Sequence, residues 1–294
     1  MTGSPWLEGR DRYERVLEGW VDNSHDDAFT HTVRIGDDER GVELAAVCTP
    51  SPGYELRQAR ARVTGGDVDP AAASRLAELS GTRMVAGFTR RVSELAGSGP
   101  GGSFLVDAGI EVARLARQVA KLPRERTAAL ASGGARACWE LDTTGWVDLP
   151  DSCFTYSGAG RALLDAREVT TPLVAELYSP PPGARRIFVR KKVMRLVRTG
   201  SQLHCFHSMH DNVHGFDLHY EVDMKSGRIA AADSITSRLP YQGLCGEPQA
   251  KISALIGELV DAGLRKRLQA LVGGSTGCAQ LFDLTADLFK LVTL

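Results

Sequence analysis

The chain has 294 residues, 43% hydrophobic and 24% charged, which is globular composition with room for one large domain or two ordinary ones. A formal net charge of -1 argues against a broad nucleic-acid or anionic-membrane surface, and no apolar run is long enough to span a bilayer. Residues 1–20 lack the basic-then-apolar order of a signal peptide, so a cytoplasmic location is the expectation.

In chain order, alternating apolar residues predict strands near 12–21, 29–35, 42–49 and 54–63. Helical spacing then predicts helices near 70–80, 82–96 and 103–120. Residues 122–185 read as a linker and insert. In it, ALASGGARA is a linker, CWELDTTGWVDLPDSCFTYS carries two short strands, and SPPPGA is a rigid spacer. Strands are again predicted over RRIFVRKKVMRLVRT, QLHCFHSM, Phe216 to Asp223 and Arg228 to Thr236. Helices follow at about 247–256, 258–272 and 278–292. The basic run RRIFVRKKVMRLVR alternates charge with apolar residues and reads as a solvated strand face.

The chain is written twice. An offset of 176 residues takes Leu79 to Leu255, Gly81 to Gly257, Gly97 to Gly273, Leu105 to Leu281 and Asp107 to Asp283. Glu111 then meets Asp287. Upstream, an offset of 174 takes Gly41 to Gly215, Leu44 to Leu218 and Gly53 to Gly227. Self-similarity at a fixed offset is what duplication leaves. The expectation is therefore an α+β fold of two internally duplicated units. Each is an antiparallel sheet of about four strands followed by about three helices, and the two are arranged as a fused pseudo-dimer. The domains are 1–121 (a degenerate first copy), 122–185 (the insert) and 186–294 (the second copy, with the candidate site). A further homodimer of the fused chain fits the same symmetry.

Where the copies differ, reactive residues accumulate in the second. Its loop GGSTGC, residues 273–278, faces GSGPGG in the first, so Cys278 stands where the first copy has Gly102. The shared glycines read as structural. Cys278 reads either as a small buried hydrophobe or as a thiol at a helix start, where the dipole favours thiolate. No lysine follows the glycines, which excludes a Walker phosphate loop. Five of the seven histidines, His204, His207, His210, His214 and His219, lie in one stretch with no counterpart. They read as a polar strand face, as metal ligands, or as acid–base groups. A hairpin turning at Asp211-Asn212 would bring His210 and His214 together beside Asp211. Asp283 and Asp287, matched in both copies, read as fold or interface residues as much as catalytic ones. None of the six cysteines forms a CxxC pair, and free thiols are expected.

His214, the strand LHYEVD, Pro240-Tyr241 with Cys245 just beyond, Leu255-x-Gly257, Gly263 and Gly277-Cys278 with Leu281 resemble a bacterial family, domain of unknown function 2889. The resemblance covers about 186–294. It implies the architecture and the choice of positions but no mechanism. The family pattern has His-Asp-Met and a terminal Gly-Cys-Thr-His-Leu. Here His214 precedes Gly-Phe, and Cys278 precedes Ala279-Gln280. The combined expectation is a small-molecule enzyme doing cofactor-independent proton transfer of lyase, isomerase or cyclase type. His214 or His210 would be the base, Asp211 its orienting group, and Cys278 would hold an oxygen. Cys245, Tyr241, His204 and Gly277 would contact a fairly apolar substrate. No metal, cofactor, nucleic acid or membrane partner is expected. The alternatives are a metal-dependent hydrolase or lyase using the histidine cluster, and a non-catalytic binding or scaffold protein.

Overall fold

A computed structural model describes residue 7 and residues 9–292. Residues 1–6 and 8, part of the stretch 1–20 read for a signal sequence, lie outside the described residues, as do 293 and 294. Strands β1 (Arg12–Asp22), β2 (Phe29–Gly36), β3 (Gly41–Cys48), β4 (Leu56–Gly65), β5 (Phe188–Thr199), β6 (Gln202–Asp211), β7 (Gly215–Asp223) and β8 (Arg228–Arg238) form an antiparallel sheet. Its strand order is β4-β3-β2-β1-β5-β6-β7-β8. The helices are α1 (Pro70–Arg75), α2 (Phe88–Ala96), α3 (Gly102–Ala116), α4 (Arg124–Gly145), α5 (Gly158–Ala166), α6 (Ala175–Tyr178), α7 (Leu264–Leu271) and α8 (Ala279–Phe289). No helix of the described residues is long and apolar enough to cross a membrane.

The chain divides into two compact units. One comprises Arg15–Ser132 with Val174–Lys191, and the other Met1–Glu14, Gly133–Leu173 and Lys192–Leu294. In the first unit the alternation of β1 to β3 sends Leu17, Val33, Ile35, Val42 and Leu44 inward, where they are almost wholly buried. Helix α3 packs on β2 and β3, and its Leu115 lies so close over Gly19 that a Cβ there would sit 2.9 Å from Leu115 Cδ1. The buried face also carries charge. Arg15 Nη1 donates to Asp107 Oδ2 at 2.9 Å, and Arg190 Nη1 donates to Glu111 Oε1 at 3.1 Å. Both arginines are 0% exposed, and the Arg15 guanidinium stacks 4.1 Å over the Phe104 ring. Asp107 and Glu111, the first-copy matches of Asp283 and Asp287, thus lie in buried charged pairs. The basic run around Arg190 is not the solvated face its alternation suggests. Lys191 is exposed, but Arg190 and Lys192 take the buried parity.

In the second unit β6 to β8 form a meander, and α8 packs on β6. Inward residues Leu203, Cys205, Met209, Phe216, Leu218, Tyr220 and Val222 build this core. Tyr220 Oη shares a hydrogen bond with Thr285 Oγ1 at 2.7 Å, and Thr285 donates back to Leu281 O within α8.

Element limits recur at the sequence offsets. Shifting α2 by 176 residues places Phe88 on Leu264, the first residue of α7, and α3 falls on α8 with its start at Cys278. A shift of 174 lays β3 on β7, start on start at Gly41 and Gly215. Gly81 and its match Gly257 both take left-handed backbone, φ 82° and 90°. Two of the helices read from the sequence differ, one in type and one in extent. Residues 247–255 form a 3-10 helix, and α7 begins only at Leu264 because Gly257 turns the chain and Leu259 bridges Arg228 on β8. The insert departs further. ALASGGARA is helical, inside α4, with a break at Gly134 (φ 63°, ψ -153°). CWELDTTG continues that helix rather than forming a strand, since Cys138, Trp139, Leu141 and Asp142 bury one face at helical spacing.

Candidate functional site

The histidines diverge because strand alternation separates them. His207 takes the inward face of β6, where its Nδ1 lies 2.8 Å from Leu284 O. His204 and His210 point outward and pair across to β7: His204 Nδ1 with Glu221 at 3.5 Å, His210 Nε2 with Asp217 at 3.0 Å. His210 therefore does not join His214 beside Asp211, as the hairpin reading had it. Residues 210 and 211 occupy opposite faces of one strand. Asp211 does hold His214. Its Oδ1 accepts from the Val213 and His214 N–H groups at 2.7 and 2.6 Å and lies 3.3 Å from His214 Nδ1. The His214 ring stacks on Phe216 at 6.2 Å. Among the described residues no hydrogen bond or ion pair joins His214 to Cys278. Nor does any group of three or more His, Cys, Asp or Glu there have the geometry to hold a metal ion.

A denser constellation forms where the insert meets the loops after β8. Asp142, near the end of α4, accepts from Tyr156 Oη at 2.8 Å and from Tyr241 Oη at 2.5 Å, both on Oδ2. Asp142 and Tyr241 are buried, Tyr156 is half-buried, and the two rings meet edge to face at 6.1 Å. Burial raises the Asp142 carboxyl to about 6, although both phenol hydrogen bonds pull it down. Burial also pushes the Tyr156 phenol well up, so it stays a donor at neutral pH.

The loop that carries Cys278 docks against this group. Phe154 N–H donates to Gly277 O at 2.8 Å, which places Cys153 beside Cys278. Thr155 Oγ1 lies 3.1 Å from Cys245 Sγ, and Trp139 Nε1 donates to Thr155 O at 2.6 Å. Gln249 Nε2 donates to Cys245 O at 3.4 Å. Three cysteines from three segments, Cys153, Cys245 and Cys278, thus gather here. All six cysteines are free thiols. Cys278 is the N-cap of α8, as the sequence suggests, and its Sγ accepts from Leu281 N–H at 3.5 Å. Yet its thiol is raised, not lowered: burial outweighs the helix-end N–H and the Gln249 side chain. Cys153 is likewise pushed up to about 11 and Cys245 to about 12, chiefly by burial.

The glycines of the two matched loops behave differently. Gly101 is left-handed at φ 69°, while Gly277 is extended at φ -120°. Gly277 is required for a steric reason instead, since a Cβ there would lie 2.1 Å from Val272 O.

Of the residues singled out from sequence, Tyr241, Cys245, Gly277 and Cys278 come together here. His214 and Asp211 form a separate pair at the β6–β7 turn, and His204 and His210 lie on the outer face. Asp142, Tyr156 and Cys153 escaped sequence reasoning because they lie in the stretch read as linker and strands. The signal that could have found them is the helical spacing of Ala135, Cys138, Trp139 and Asp142.

A search of curated proteins and a search of solved structures returned no match. Residues 195–293, from the end of β5 through α8, match the model of the family described as Protein of unknown function (DUF2889), which is the family that His214, Tyr241, Cys245 and Cys278 resemble.

Proposed function

We propose that the unit containing Asp142 carries out cofactor-independent proton transfer on a small, fairly apolar organic molecule, as a lyase, isomerase or cyclase does. The observation that carries this reading is the buried Asp142 carboxyl, raised to about 6 and held by two phenols. An acid–base group works best when its pKa lies near the working pH, and burial is the usual way to bring a carboxyl there. Asp142 would take and return the proton. Tyr156 would pass it between Asp142 and the bound molecule, and Tyr241 would hold the carboxyl in place. Cys245 and Cys278 would line the apolar side as neutral thiols.

The test is exchange of solvent deuterium. A panel of small carbon acids (ketones, enoates and lactones) is incubated with the protein in D2O and read by mass spectrometry. At least one class should take up label, and Asp142→Asn should abolish uptake while keeping the fold. Label at equal rates with both proteins, or with neither, defeats the reading. A second reading places the base at His214, favoured by the contact of its Nδ1 with Asp211. In that case His214→Gln, and not Asp142→Asn, removes exchange.

The recurrence of element limits at fixed offsets supports a further proposal, that the two units descend from one duplicated unit related by an approximate two-fold axis. Different arrangements of 79–116 and 255–292 on superposition would exclude it.

A further inference from the structure

The face of the sheet that α8 leaves uncovered has its own character. Because His207 points inward to Leu284, its neighbours His204 and Phe206 point alternately away. The register then sets His204 opposite Glu221 and Ala231, and Phe206 opposite His219 and Asp233. These side chains line a groove of about 420 Å³, bounded on the β5 side by Arg195. Ala231 is the small residue in the row, and it leaves the hollow beside Asp233.

The floor is aromatic. The Phe206 and His219 rings lie 4.9 Å apart, and the Arg195 guanidinium already stands 5.6 Å over Phe206. The lining charges are unbalanced. Arg195 Nε is held by Glu14 at 2.7 Å, and Glu14 also takes Arg12 at 3.0 Å. Glu221 faces His204 at 3.5 Å. Asp233 has no ion-pair or hydrogen-bond partner among the described residues, and it is exposed to the groove.

We propose that this groove binds a small organic cation that carries a planar aromatic ring, such as an aromatic amidinium. The ring would stack on Phe206 and His219, where cation–π attraction adds to contact area, and the charge would meet Asp233 and Glu221. An organic anion would face the same two carboxylates and is disfavoured. The proposal is independent of the Asp142 site, because none of the lining residues belongs to it.

Benzamidine, benzoate and methylguanidine are the probes, titrated into the full chain and followed through histidine ring signals by NMR. Benzamidine should saturate and shift His219 and His204. Phe206→Ala and Asp233→Asn should each weaken it about threefold or more, and Asp233→Asn should leave the melting temperature unchanged. Asp233 is exposed, so its variant decides the matter even if the Phe206 variant unfolds. Benzoate should not bind. Methylguanidine, which presents the charge without the ring as a peptide arginine would, should bind at least about tenfold more weakly. The proposal is overturned if benzamidine fails to saturate at millimolar concentration. It is equally overturned if benzoate or methylguanidine binds as well, or if Asp233→Asn leaves binding unchanged.

Discussion

Replacing Asp142 by Asn should remove a charge that the folded state holds unfavourably. The folded carboxyl titrates at about 6, against 3.8 for an exposed one. A difference of roughly two pKa units corresponds to ~3 kcal/mol. Because the folded pKa is raised, the folded chain holds this proton more tightly than the unfolded chain. The group's favourable contribution is therefore complete below the unfolded value and is lost as pH rises through about 6. The amide keeps an oxygen for the two phenols and does not titrate. Relative to Asp142→Asn, the wild type should lose about 2–3 kcal/mol between pH 4 and pH 7. Urea unfolding at pH steps, followed through Trp139 and Trp146 fluorescence, measures that difference. A carboxyl carbon resonance titrating near 6, and missing from the variant, would confirm the group. Tyr156→Phe should move this midpoint higher, since the lost phenol hydrogen bond is one that lowers it. A stability difference that stays flat from pH 4 to pH 7 would refute the reasoning, because it would mean the carboxylate is solvated after all.

Gly277→Ala should destabilise by about 1–3 kcal/mol or more through the clash with Val272 O, measured as a fall in melting temperature. Cys278→Ser should stay within about 1 kcal/mol of wild type, since serine is a good N-cap in place of a weakly capping thiol. Cys278 should alkylate with iodoacetamide more slowly than a free cysteine at neutral pH, and speed up as pH rises. Reaction as fast as a small-molecule thiol at pH 7 would contradict the burial argument. Asp107→Ala should cost about 3–5 kcal/mol, because it takes the carboxylate away from a fully buried guanidinium. A loss under about 1 kcal/mol would mean that Arg15 reaches solvent.

Strands were the legible part of the chain. Alternation over Arg12–Asp22 or Gly215–Asp223 is strong and local, and the observed limits fall within about two residues of those read from it. Helices after β8 were blurred because the mixed sequence EPQAKISAL does not distinguish a 3-10 helix over Glu247–Leu255 from an α-helix. The insert was misread because Gly133-Gly134 looks like a linker, yet only Gly134 breaks the helix. The candidate site was half legible. Cys278 stands out by comparison between copies, and Tyr241 and Cys245 through the family resemblance, whereas Asp142 lies in the insert, which has no counterpart in the first copy. Its raised pKa comes from burial, and its two phenol partners lie far off in sequence, neither of which a linear sequence displays. The same limit explains Cys278: helix position is readable, but the desolvation that reverses its titration is not.

The buried pair of Arg15 and Asp107 bears on how faithfully the first unit assembles. A strand that slides by two residues keeps its apolar side chains facing inward, so burial alone scarcely resists the slip. Such a slide moves Arg15 by roughly 6–7 Å along the strand, away from the carboxylate on α3 and from the Phe104 ring it covers. The misaligned state would then enclose a guanidinium with no carboxylate beside it. Arg190 and Glu111 act in the same way on β5. The two charged pairs therefore work as alignment keys, penalising mispaired sheets that greasy side chains would tolerate.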